Sequence, residues 1–108
     1  MKFVNLTPHE VRVADQDGTV FLTIPPSGQV ARVATTSVMV GEVDGIPIYR
    51  TALGDVTGLP EPQEGVTYVV STLVAQVVSR PDVVAPDTGP TAIRENGQVV
   101  AIRRFQVF

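Results

Sequence analysis

The chain has 108 residues, the size of one domain, and 44% of them are apolar, which excludes a disordered segment. Its net charge of −3 disfavours nonspecific binding to nucleic-acid backbones, which rests on phosphate neutralisation. The absence of cysteine excludes a disulfide framework, a thiolate nucleophile and a cysteine metal site.

The opening residues, MKFVNLTPHE, lack the apolar core of a secretory signal, and no apolar run approaches the ~20 residues that span a bilayer. A cytoplasmic protein without membrane contact is expected. Asn5-Leu6-Thr7 spells a glycosylation sequon, idle in that compartment. Thr7-Pro8-His9-Glu10 has capping-box spacing, but the Val-rich alternation after it predicts a turn.

Three hairpins follow from X-Gly pairs, each supplying the positive φ angles of a two-residue type I′ turn. They are VRVADQDGTVFLTI, turning at Asp17-Gly18; VMVGEVDGIPIYRT, turning at Asp44-Gly45; and TAIRENGQVVAIRRF, turning at Asn96-Gly97. Pro25-Pro26-Ser27-Gly28 breaks the chain between the first two, and a strand starts at Gln29. Residues 51–65, rich in Gly, Pro and acid, read as a loop. In VTYVVSTLVAQVVSRPD the period changes. Val66 to Val70 reads as a strand, Ser71 caps a helix, and Leu73, Val74, Val77 and Val78 share its apolar face until Pro81 stops it. Valine, present 21 times, suits a pleated surface. The expected fold is a single mainly-β (α+β) domain over residues 1–108: an antiparallel sheet of hairpins with one short helix near residues 72–79.

Asp87-Thr88-Gly89 is the tripeptide of dimeric aspartic proteases. Such an enzyme needs enough chain behind the tripeptide to build a substrate-binding sheet and a flap; here Asp87 follows Pro86, and only 21 residues remain after it. Pro86-Asp87-Thr88-Gly89-Pro90 reads instead as turn chemistry, with Asp accepting from backbone N–H groups. His9 is the sole histidine and has no metal-ligand spacing around it. Ser27 and Ser71 lie in no nucleophile-elbow pattern, and Gly54, Gly58 and Gly65 form no phosphate loop. Without a catalytic constellation, metal set or cofactor motif, the chain reads as a binding protein and not an enzyme.

The C-terminal hairpin carries the candidate site. A two-residue turn at Asn96-Gly97 pairs Glu95 with Gln98 and Arg94 with Val99. Alternation then gathers Arg94, Ala92, Val99, Ala101, Arg103 and Phe105 on one face: two guanidiniums, small alanines and an aromatic ring. Such a face suits phosphates on the arginines and a base on the ring. The alternative is an exposed sheet face whose arginines pair with acids such as Asp82 and Asp87. Seven of the eight cationic residues are arginine, the planar phosphate reader, although a GC-rich gene produces the same bias.

The ordered segments FVNLTPHEV, IPPSGQVARV, GEVDGIPIYRT, GLPEPQEGVTYVVSTLVAQVV and RPDVVAPDTGPTAIRENGQVVAI span nearly the whole chain. They resemble a small domain of phages and bacterial chromosomes, for which the nearest functional family is the Thoeris anti-defence proteins, phage "sponges". The resemblance implies a β-rich fold with a helix, assembly as dimers or higher oligomers, and non-catalytic sequestration of cyclic ADP-ribose isomers between subunits. On that reading, joined to the hairpin argument, Arg94 and Arg103 grip the pyrophosphate of a nucleotide messenger. Phe105 or Tyr68 stacks on the adenine, and Asp87 or Thr88 meets ribose hydroxyls. The competing reading is a structural or adaptor protein of a phage particle or prophage, without a small ligand. A sponge calls for a concave pocket with convergent Arg and aromatic groups, an adaptor for a flat apolar patch. Self-association is expected under either, with the apolar end Phe105-Gln106-Val107-Phe108 at the interface.

Overall fold

A computed structural model describes residues 2–108. In chain order it contains β1 (Lys2–Asn5), β2 (Val11–Ala14), β3 (Val20–Ile24), β4 (Arg32–Val43), β5 (Ile46–Thr57), β6 (Val66–Val69), α1 (Thr72–Val78), β7 (Val83–Pro86), β8 (Ile93–Glu95), β9 (Gln98–Ala101) and β10 (Phe105–Gln106). The fold is strand-rich, with antiparallel hairpins and one short helix at the expected place.

The centre is a four-stranded sheet in the order β1-β6-β7-β10. Its first three strands run parallel and only β10 pairs antiparallel, with β7. Hairpin reasoning does not anticipate this pairing. Parallel neighbours need a crossover of a dozen or more residues. Residues 70–82, which contain α1, carry the chain from β6 to β7. Residues 6–65, which contain two hairpins, carry it from β1 to β6.

Both faces of this sheet are covered, and the sequence of β6 and β7 shows why. Tyr68 and Val70 point to one side with Val83 and Ala85, where Leu6, Ala31, Val74 and Ala75 complete a cluster. Val69 and Val84, at the intervening positions, point to the other side and meet Val11, Val13, Ile24 and Ile102 from the β2–β3 hairpin and the C-terminal segment. Strands buried on both faces read as continuous apolar runs, as VTYVV and VVAP do.

Three local expectations need correction. At the first hairpin, residues 15–19 form a wider loop than a two-residue turn: only Gly18 has positive φ, and the Asp15 carboxylate accepts from the N–H groups of Asp17 (2.9 Å) and Thr19 (3.0 Å). The other two turns match, with Asp44 and Gly45 at φ 52° and 78° and Asn96 and Gly97 at 54° and 80°. In α1, Ser71 caps as expected, its Oγ accepting from the Val74 N–H. The buried side is Val74 and Ala75, while Leu73 and Val77 stay exposed. Seven residues make too short a helix to bury the whole stripe.

Residues 51–57, expected as loop, are the second half of β5, kept in the ladder by a bulge in which Gly54 and Asp55 oppose Ala34. The strand ends at Gly58, whose φ of +80° brings its α-carbon so near Val30 that a Cβ would stand 2.5 Å from the carbonyl oxygen. Asn5 is buried and fully satisfied: its Nδ2 donates to the carbonyls of His9 and Ile24, and its Oδ1 accepts from the Thr7 N–H and hydroxyl. This explains the turn at residues 7–10 and places the sequon asparagine inside the protein.

Candidate functional site

The C-terminal hairpin keeps the expected register at its turn, Glu95 with Gln98 and Arg94 with Val99. One pair further on, a bulge intervenes, and Ile93 pairs with Ala101. The strand then ends. Ile102 bridges to Val13 in parallel, and the chain crosses to pair β10 with β7. Arg94, Arg103 and Phe105 therefore do not share a sheet face, because the alternation that would align them is interrupted twice.

Each expected side chain has its own surroundings. Arg94 donates to the carbonyls of Gly89 (3.0 Å) and Thr88, bracing the residues 87–91 turn. Arg103 donates to the carbonyls of Thr91 (2.8 Å) and Asp15 (3.3 Å), tying that turn to the first hairpin. Phe105 is half-buried and stacks on Phe3, ring centroids 5.2 Å apart. Tyr68 is 1% exposed, its ring inside the core and its hydroxyl donating to the Glu61 carbonyl. A base cannot reach that ring without opening the core.

Asp87 behaves as the turn reading expects. One carboxylate oxygen accepts from the Gly89 N–H (3.0 Å) and the other from Arg104 Nε (2.7 Å). The Arg104 bond, and after it the Gly89 bond, hold its pKa below the ordinary carboxylate value. Arg80 and Asp82 form a fork-to-carboxylate pair beside it in sequence, Nε–Oδ1 2.9 Å and Nη2–Oδ2 2.6 Å, which lowers the Asp82 pKa. The acid partners anticipated for the hairpin arginines are thus taken by Arg80 and Arg104, neither of which belongs to the expected site.

A cleft of about 360 Å³ lies between the residues 7–11 turn, the start of α1 and β9. Of the residues expected to touch a ligand only Thr88 lines it, beside Val99 and Ala101 of the expected face, and no arginine does. Its carboxylate, Glu10, already accepts from Arg12 Nε (2.9 Å). Among the described residues no group of three or more His, Asp or Glu side chains is placed to hold a metal ion.

An exposed apolar surface lies elsewhere. β4 and β5 form a separate two-stranded sheet, 12 residues per strand, joined at one end to the body. Cross-strand pairing puts Met39, Tyr49 and Leu53 on one face with Thr35, Ser37 and Thr51. Val38, Ile46, Ile48 and Arg50 lie on the other. The first face is continuous with Val33 and Val56, which pack against the core at the base of the arm. Beyond them every residue is exposed, up to 64% for Val38 and 67% for Ile46. Sequence reasoning saw this hairpin and its turn but not its role. The one available signal was the scarcity of charge in VATTSVMVGEV and IPIYRTALG, which carry a single charged residue on each face, Glu42 on one and Arg50 on the other. The chain matches no described protein family, no curated protein and no solved structure.

Proposed function

We propose that this chain is a non-catalytic docking protein, a structural or adaptor subunit of a phage particle or prophage assembly acting in the host cytoplasm, with the β4–β5 arm as its binding element. The observation that carries the reading is the arm itself. Twelve residues at about 3.3 Å each make a ribbon ~40 Å long, and two strands make it ~10 Å wide, so each face offers on the order of 400 Å². A monomer's largest exposed apolar patch is typically about 300–600 Å²; here apolar side chains, interspersed with Thr, Ser and Arg50, stand exposed on both sides of one element. Two such faces together approach the ~800 Å² that each partner buries in a standard protein interface.

Sequestration of a nucleotide messenger receives less support from the same geometry. A messenger pocket needs convergent, free guanidiniums. Here Arg94 and Arg103 already donate to backbone carbonyls, and Tyr68 is enclosed. The test compares the full chain with a variant in which an Asn-Gly turn replaces residues 37–51. In lysate of the producing cell the full chain should travel with a large assembly and the shortened one should run free. Calorimetry of the full chain with cyclic ADP-ribose isomers and cyclic oligonucleotides should give nothing tighter than about 10 µM. Free migration of the full chain, or nanomolar binding of any of those nucleotides, would replace this reading with the sponge.

A further inference from the structure

We infer that the cleft at the carboxyl ends of the parallel strands is a binding site for a small molecule with an apolar body and a primary ammonium head. None of its lining residues belongs to β4 or β5, so the site is separate from the arm and adds a small ligand to the docking reading.

Topology sets the place. β1, β6 and β7 run parallel, so the segments that follow them leave from one edge of the sheet. At parallel sheets, ligands bind in the crevice outside the carboxyl ends of the strands. Residues from all three following segments line the cleft: Thr7 to Glu10, Val70 to Thr72, and Thr88. Its volume, about 360 Å³, falls in the range of ligand pockets, about 300–1,000 Å³. The walls are held in place before any ligand arrives. Asn5 Nδ2 donates to the His9 carbonyl and fixes the residues 7–10 turn. Asp87 accepts from the Gly89 N–H and from Arg104, and Arg94 donates to the Thr88 carbonyl, so the turn that carries Thr88 is braced too.

The lining decides the chemistry. Buried Val11, Val70, Ala101 and Ile102 make an apolar floor. Above it, the polar groups are rich in acceptors. Thr7 Oγ1 lies 2.7 Å from Asn5 Oδ1 and 2.9 Å from the His9 carbonyl oxygen. Both of those atoms are acceptors, so the Thr7 proton is used inside the turn and only lone pairs remain for a ligand. Glu10 has two acceptor oxygens: Arg12 Nε donates to Oε1, and Oε2 has no partner among the described residues. Thr72 and Thr88 can accept as well as donate. No lysine or arginine lines the cleft. A phosphate or carboxylate head would therefore face the Glu10 charge, and a head that only accepts would leave Thr7 and Glu10 unpaired. An ammonium head has three N–H donors and the charge opposite to that of Glu10. With the head at Thr7 and Glu10, the apolar body of the ligand covers the valine floor.

Phenethylammonium, phenethyl alcohol and phenylacetate share one apolar body and differ in the head. Titration of the full chain with each, followed by amide NMR, gives the dissociation constant and the place of binding. Phenethylammonium should move the amides of residues 7–11, 70–72 and 99–101. It should bind at least about tenfold tighter than phenylacetate, with the alcohol between them. Glu10→Gln keeps the shape and removes the charge. It should weaken phenethylammonium about tenfold, the effect of one charged hydrogen bond, and leave the alcohol within about twofold. Val99→Trp fills the cleft from β9 and should abolish binding of all three probes; Gln98→Trp, exposed and outside the lining, should leave binding unchanged. The amide spectra show that each variant keeps its fold. Phenylacetate binding as tightly as phenethylammonium overturns the inference, as does a Glu10→Gln variant that binds phenethylammonium like wild type. Shifts confined to residues outside the cleft, or no saturation with phenethylammonium below about 10 mM, overturn it too. None of these results depends on how the chain migrates in lysate, so this inference and the docking reading fail separately.

Discussion

The central sheet and the β4–β5 arm are made of the same residue types. Val, Thr, Tyr and small residues fill both, and both alternate in the manner of pleated strands. In the body, successive residues Tyr68, Val69 and Val70 enter two different clusters, each closed by another element, and all three are buried. In the arm, successive residues Ser37, Val38 and Met39 point to two faces that nothing in the chain covers. Covered, such residues contribute about 1.5–3 kcal/mol each; uncovered, they contribute little until something arrives. The body carries the stability of this protein, and the arm carries unspent apolar surface.

The comparison is tested most severely by one tyrosine in each region. Tyr68→Ala leaves a large cavity in the core and frees the Glu61 carbonyl, and should lose about 3–5 kcal/mol, much of the total stability of a domain this size. Tyr49→Ala, on the arm, should change the stability of dilute protein by no more than about 0.5 kcal/mol. Urea denaturation of both variants decides it. A large loss for Tyr49→Ala at nanomolar protein would mean that the arm folds back on the body.

Two glycines sharpen the contrast at smaller cost. Gly58 and Gly45 have almost equal positive φ, +80° and +78°, but a Cβ at Gly58 would meet the Val30 carbonyl at 2.5 Å and one at Gly45 would meet nothing. Gly45→Ala should therefore show only left-handed strain, about 1 kcal/mol. Gly58→Ala adds a clash with backbone that cannot step aside, and should reach about 2–3 kcal/mol. Equal losses would show that the base of the arm yields.

What the sequence revealed follows the same division. Local signals were legible: Asp44-Gly45 and Asn96-Gly97 each need two residues of positive φ, and Ser71 followed by a change of period announces α1. Pairings between distant segments were not. β1 pairs β6 across some sixty residues, and nothing local in KFVN names VTYV as its neighbour. The candidate site failed for a related reason. One extra residue, Val100, enters the hairpin as a bulge, and a period-2 argument cannot survive an insertion it does not see. The role of the arm was hidden because apolar alternation looks the same whether or not a partner covers it.

Amide hydrogen exchange extends the comparison to dynamics. Amides of β6 and β7 lie in the covered sheet and should exchange only through global unfolding, while arm amides open locally and should exchange faster by several orders of magnitude in dilute protein. Arm amides as slow as those of β6 and β7 in dilute protein would show that the arm is covered by the chain itself.

The smallest effect belongs to the body alone and concerns pH. Asp82 has a lowered pKa, first because of its bond with Arg80, and Asp87 has one first because of its bond with Arg104. A carboxylate whose folded pKa is depressed stabilises the fold fully above its unfolded value, near 3.9, and loses that contribution as pH falls through the folded value. Both terms are therefore constant from pH 5 upward and fade below pH 4. Asp82→Asn and Asp87→Asn should each be less stable than wild type at pH 7, and the gap should close as the pH is lowered towards 3. Asp82→Asn should show the larger gap. Its bidentate partner is about one-quarter exposed, whereas Arg104 is 64% exposed and its bond to Asp87 is screened by solvent. Thermal melts of the three proteins from pH 3 to 7 measure this. A gap that persists unchanged at pH 3 would show that the asparagine variants lose turn geometry, and that the charge of these carboxylates contributes nothing.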